Sequence, residues 1–198
     1  MKKGILMPIG AILLCAAVLL GAAFGLNGIA AANAQKAHLD MMKLLLPGSE
    51  SFTTEPYSGE DANIVSVHKA ENGFVIETRT YGYADEITML IGVNNDGKVT
   101  GLVVQEMHET FGLGAQGLTD HVFLAQFLNS SGSFAVATTG ADAFSGATGA
   151  ESTGGDEVTV DALTGATVTS KAIVRCVNSA VAYVTGADAS SGATSWGG

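Results

Sequence analysis

No charged residue stands between Lys3 and Lys36, and the densest apolar part of that interval runs from Ile5 to Leu26. About 20 apolar residues at a helical rise of 1.5 Å cross a hydrocarbon core of about 30 Å, so this stretch predicts a transmembrane helix. Lys2 and Lys3 would stay on the cytoplasmic side, sending the rest of the chain to the opposite face. A cleaved signal peptide is the competing reading, because Ala32-Asn33-Ala34 before Gln35 has the small-x-small pattern of a cleavage site. The run exceeds the usual apolar segment of about 7–15 residues in such peptides, which favours a retained anchor, and either reading exports the domain. Leu13-Leu14 before Cys15 matches a lipoprotein box poorly, leaving Cys15 an ordinary apolar-segment thiol.

The expected organisation is an anchor over 1–30, a stalk helix and linker over 31–50, one domain over 51–186 and a disordered tail over 187–198. Leu39, Met41, Met42, Leu45 and Leu46 recur at near-helical spacing and stop at Pro47-Gly48, predicting a short amphipathic helix. From Asn63 to Glu106 the pattern becomes strand-like: Ile64–Val67, Phe74–Tyr81, Ile87–Val93 and Val99–Gln105. Asn95-Asp96-Gly97 is a hairpin turn signal, so these runs predict an antiparallel sheet. A helix is expected over 119–129, opened by Thr119-Asp120, followed by a Gly/Ser/Ala-rich loop over 129–156 with a short strand-like run at Phe134–Val136. Val158–Val160 reads as a last strand. Ile173, Val177, Ala180, Val181 and Val184 form one apolar stripe of a helix over 168–184, ended by Gly186. The fold class is therefore α+β: a transmembrane helix, then one extracytoplasmic domain with an antiparallel sheet flanked by helices.

The 198 residues carry 9 basic and 19 acidic side chains, a net charge of −10, which excludes neutralising a run of phosphates and hence nucleic acid as a partner. Cys15 and Cys176 lie too far apart in the expected organisation to pair. His38, His68, His108 and His121 lack metal-ligand spacing, so no metal site is expected.

Between the last strand and the last helix stands DALTGATVTS, residues 161–170. A strand, a small-residue turn and a hydroxyl-rich helix start make an anion cradle, since free backbone N–H groups and the helix dipole favour phosphate. Alone, such a turn is equally a capped helix start.

The pattern D-x-x-T-G-A-T followed by V-T-S resembles the flavinylation motif of the FMN-binding domain family, which includes the G subunit of Rnf complexes and its counterpart in the sodium-pumping NADH:quinone reductase. A second segment, H-E-T-F-G-L-G at 108–114, is similar to that family's H-x-E-T-P-G-L-G stretch, with Phe111 in place of proline. Gly82-Tyr83, the strand with Gly92, the Asn-Asp-Gly turn and Gly101 follow in the family's order.

The resemblance implies FMN held covalently as a phosphoester on Thr167, with Asp161, Thr164, Gly165, Ala166, Thr169 and Ser170 completing the cofactor-binding motif. It further implies Glu109, Thr110, Leu113 and Gly114 beside the flavin, with the ring resting on Leu113 and near the Thr110 hydroxyl. By resemblance, the chain is an electron-transfer subunit of a ferredoxin:NAD+ oxidoreductase that moves sodium ions or protons. It is not a catalyst by itself, and no catalytic residue is assigned. Its implied partners are the other membrane subunits and a flavin transferase, and its place is the inner membrane, crossed once. The quinone-reductase subunit and an exported non-redox binding module are the alternatives. Asp142–Thr148 and Asp188–Thr194 also satisfy the minimal pattern, but only Thr167 stands between an expected strand and an amphipathic helix.

Overall fold

The computed structural model describes residues 15–16, 21, 28–109, 114–115, 120–137 and 157–186. Most of the expected anchor, Thr110, Leu113, Thr119, most of the loop after 137, Thr148 and the tail with Thr194 lie outside the described residues. Among the described residues no helix is long and apolar enough to cross a membrane. The chain divides into two units, Met1–Met41 and Met42–Gly198.

In the first unit, residues 28–41 are helical and mostly exposed; this helix, α1, continues through residue 45. The helix thus begins well before Leu39, where the apolar spacing that predicts it starts. Within the second unit, Met42, Leu45 and Leu46 are buried, and Leu45 is tied down where the Thr100 hydroxyl donates to its carbonyl at 2.6 Å.

The second unit is α+β. Five strands form one antiparallel meander in chain order: β1 (Thr53–Glu55), β2 (Ile64–Ala70), β3 (Gly73–Tyr81), β4 (Glu86–Asn94) and β5 (Val99–Met107). The four longer strands lie where the runs rich in Val, Ile, Thr and Tyr place them, each a residue or more longer than its run. Backbone pairing carries each strand beyond that run. The β4–β5 turn holds Gly97 at φ +77°, the conformation that Asn-Asp-Gly anticipates. β1 had no sequence signal, since Thr53, Thr54 and Glu55 are exposed or half-buried and bring no apolar pattern.

After the meander come α2 (His121–Ala125), β6 (Ser133–Ala137), β7 (Glu157–Asp161) and α3 (Thr167–Thr185). The helix expected over 119–129 is corrected to one of five residues, followed by turns through 129. Its N-cap is Asp120, whose carboxylate accepts from the Val122 and Phe123 N–H groups at 3.0 and 2.9 Å. Helical winding stops because Phe127 turns fully into the core and Asn129 takes φ +60°. β6 and β7 pair in parallel as a separate two-stranded sheet.

The core lies between α3 and one face of the meander. Ile173, Cys176, Val177, Ala180 and Val181 of α3 meet Ile76, Ile87, Met89, Ile91 and Val93 of the central strands, all fully or almost fully buried. Each buried Ile, Val or Met among them contributes about 1.5–3 kcal/mol through burial. Phe123, Phe127 and Phe134 close the end of this core, with successive ring centroids 5.6 and 5.3 Å apart. The predicted stripe is the buried one, except that Val184 is only partly covered.

Candidate functional site

α3 begins where β7 ends, and five residues make the connection. Asp161 closes β7 with its backbone held from both sides by Gln126. Its N–H donates to Gln126 Oε1 at 2.8 Å, and its carbonyl accepts from Gln126 Nε2 at 3.3 Å. Leu163 plugs into the core at 4% exposure, while Thr164 and Gly165 stay exposed on the outside of the turn. Gly165 has φ +72°, a left-handed conformation in which any side chain would be strained.

Ser170 locks this turn from inside. Fully buried, its hydroxyl accepts from the Leu163 N–H and donates to the Ala166 carbonyl, both at 3.0 Å. Ala166 is the N-cap residue of a 19-residue helix, and no side chain caps that helix. The first-turn N–H groups are therefore not taken by a capping side chain, and the positive end of the dipole faces outward. Thr167, half-buried, is the first helical residue. Lys171 and Arg175 follow at i+4 and i+8 on the same face, and Arg175 is fixed by donating from Nη2 to the Tyr81 carbonyl at 3.1 Å. In a chain with 9 basic residues, two of them on this face add to the attraction for an anion.

The second motif arrives from the end of β5. The Glu109 carboxylate accepts through Oε1 from the Tyr83 and Ala84 N–H groups at 2.8 and 3.2 Å. Through Oε2 it accepts from the Thr169 hydroxyl at 3.1 Å. Glycines leave room for it. A Cβ on Gly114 would stand 2.9 Å from Glu109 Oε2 and 2.6 Å from Thr169 Oγ1, and one on Gly82 would collide with Glu109 Oε1. Glu109, Gly114 and Thr169 are thus brought together, as the two motifs imply. His108 instead lies exposed, its Nδ1 3.7 Å from an Asp85 carboxylate oxygen.

The structure therefore divides the predicted residues by what they touch. Thr169 is 1% exposed and Ser170 is fully buried, and both hydroxyls bond to protein groups. Thr164 and Gly165 are exposed beside the helix start, and Thr167 is half-buried. Gln126 escaped sequence reasoning: its partner is 35 residues away and nothing local marks it. Lys171 and Arg175 could have been found from their spacing to Thr167.

Chemically, the arrangement offers a threonine hydroxyl at the uncapped positive end of a helix, two cations along the same face and a fixed turn that needs no rearrangement. A phosphate esterified at Thr167 fits that donor set.

Residues 82–182 match the FMN-binding domain family, a span that takes in Gly82, Glu109 and almost all of α3. The chain is 33% identical over 157 residues to the G subunit of an ion-translocating oxidoreductase complex of Methanosarcina acetivorans, covering 73% of each protein. It is 33% identical over 110 residues to the G subunit of an Na(+)-translocating ferredoxin:NAD(+) oxidoreductase complex of Acetobacterium woodii. It is 34% identical over 112 residues to the G subunit of a proton-translocating ferredoxin:NAD(+) oxidoreductase complex of Clostridium ljungdahlii. These last two matches cover 55% and 57% of the chain and about half of each relative, 47% and 53%.

Proposed function

Because the chain belongs to the FMN-binding domain family, we propose that it is the electron-transfer subunit of an Rnf-type, ion-translocating ferredoxin:NAD+ oxidoreductase, carrying FMN covalently on Thr167. The observation that carries this reading is the place of Thr167: first residue of a 19-residue helix without a side-chain cap, after a turn held by Ser170. The three relatives, each the G subunit of an ion-translocating oxidoreductase complex, support the wider role.

FMN, when bound, supplies one- and two-electron redox chemistry. The protein's residues hold and orient it. The Thr167 hydroxyl would be the oxygen esterified to the FMN phosphate: a flavin transferase would move the FMN group from a flavin dinucleotide, the pyrophosphate bond breaking as the ester forms and the nucleoside monophosphate leaving with the hydroxyl proton. The helix start and Lys171 favour the negative charge left on the phosphodiester. A tether also keeps the flavin at an effective concentration of the order of millimolar outside the cytoplasm, where a dissociated cofactor would be lost. Thr110 and Leu113 are the residues proposed to meet the ring.

In this reading the apolar run from Ile5 to Leu26 crosses the inner membrane once, with the N-terminus cytoplasmic and the flavin domain on the other side. One helix offers no ion path, so translocation belongs to partner subunits.

The test is denaturing electrophoresis of membranes from cells that contain the flavin transferase. A fluorescent flavin band is expected at this subunit's size, absent from Thr167→Ala. A Thr167→Ala protein that keeps the band refutes the attachment.

A further inference from the structure

Glu109 is the one carboxylate among the described residues on which three separate segments converge: the β3–β4 loop through Tyr83 and Ala84, Gly114, and the first turn of α3 through Thr169. Its three donors are neutral, two backbone N–H groups and a hydroxyl, and among the described residues it forms no ion pair. The negative charge is thus held in place with no cation paired to it among the described residues. Thr169, which it grips, lies two residues beyond Thr167 on the same helical turn. A Cβ on Gly82 or Gly114 would run into this carboxylate, so glycine at both positions leaves the space it occupies.

We infer that Glu109 is a positioning residue of the flavin site that also sets the flavin's potential through its fixed charge, an inference resting on FMN being attached at Thr167. Its first action is mechanical: it ties the helix start to the β3–β4 loop, so that Thr167 is presented in one orientation. Its second is electrostatic. Reduction adds negative charge to a flavin, and a fixed carboxylate bonded to the first turn of the helix that carries Thr167 opposes that change and holds the potential low.

The two actions separate in substitution. Glu109→Gln keeps an acceptor for the Tyr83 and Ala84 N–H groups and an amide that the Thr169 hydroxyl can meet, but removes the charge. Glu109→Asp keeps the charge and shortens the reach by one methylene. Each is made in the full chain, in cells with the flavin transferase, and purified from membranes in detergent. Flavin per polypeptide, midpoint potential and thermal unfolding are then measured.

The expected result is a folded Glu109→Gln protein whose midpoint potential is more positive than wild type. Glu109→Asp is expected to stay near the wild-type potential with a lower flavin load. A folded Glu109→Gln protein that fails to take up flavin overturns the inference, because that variant keeps the positioning contacts and only the charge has changed. Wild-type load and potential in Glu109→Gln overturn the inference. So does loss of folding in both variants, which makes Glu109 a structural strut. Wild-type protein without flavin would instead refute the attachment at Thr167, leaving the two failures distinguishable.

Discussion

Ser170 and Cys176 sit one and two turns into α3, both fully buried, and each has a measurable consequence. Replacing Ser170 by Ala leaves the Leu163 N–H buried without its acceptor, a change that costs about 1–3 kcal/mol. The midpoint of chemical denaturation should fall accordingly, and flavin load should fall with it because the turn before Thr167 loses its lock. An unchanged midpoint would show that the hydroxyl is not holding that turn. Burial pushes the Cys176 thiol from 9.0 up to about 11, partly offset by the neighbouring Thr78 hydroxyl and Arg175 charge. The unfolded thiol ionises near 9.0 and the folded one only near 11, so this group's contribution is complete below pH 9 and declines as pH rises toward 11. Thermal melts between those limits should fall less steeply for Cys176→Ala than for wild type. Equal slopes would contradict the assignment.

At the scale of elements, α3 bears most of the weight. Ile173 is fully buried against the central strands, and Ile173→Ala should destabilise the protein by about 2–5 kcal/mol in denaturant titration. β2 to β5 were legible as runs rich in Val, Ile, Thr and Tyr with a turn signal between the last two, and α3 because its apolar residues repeat at the helical period of about 3.6. β1 was not: with only Thr53, Thr54 and Glu55, its pairing with β2 comes from backbone hydrogen bonds that leave no mark in side-chain order. The parallel pairing of β6 with β7 was equally hidden, since the partners are separated by a long small-residue segment. α2 was read too long because Phe127 and Leu128 continue a helical pattern, whereas Phe127 is buried beyond the helix's end.

Across the whole molecule, the site joins segments that local reading treats separately. The two motifs were visible as residue strings, but their meeting through Glu109 and Thr169 spans 60 residues and depends on how the meander folds under α3. The side-chain grip of Gln126 on Asp161 is hidden for the same reason. At this scale belongs the proposed topology: an amine-reactive label that does not cross membranes should reach lysines such as Lys98 and Lys171 in intact spheroplasts. Labelling only after lysis would place the domain on the cytoplasmic side.

The proposed electron-transfer role depends on the chemistry of Thr167. Protein extracted from native membranes, digested and mapped by mass spectrometry measures it directly. The peptide carrying residues 161–170 should be heavier by FMN less one water, with the added mass on Thr167. A bare peptide there, or flavin found only at Thr148 or Thr194, would contradict it.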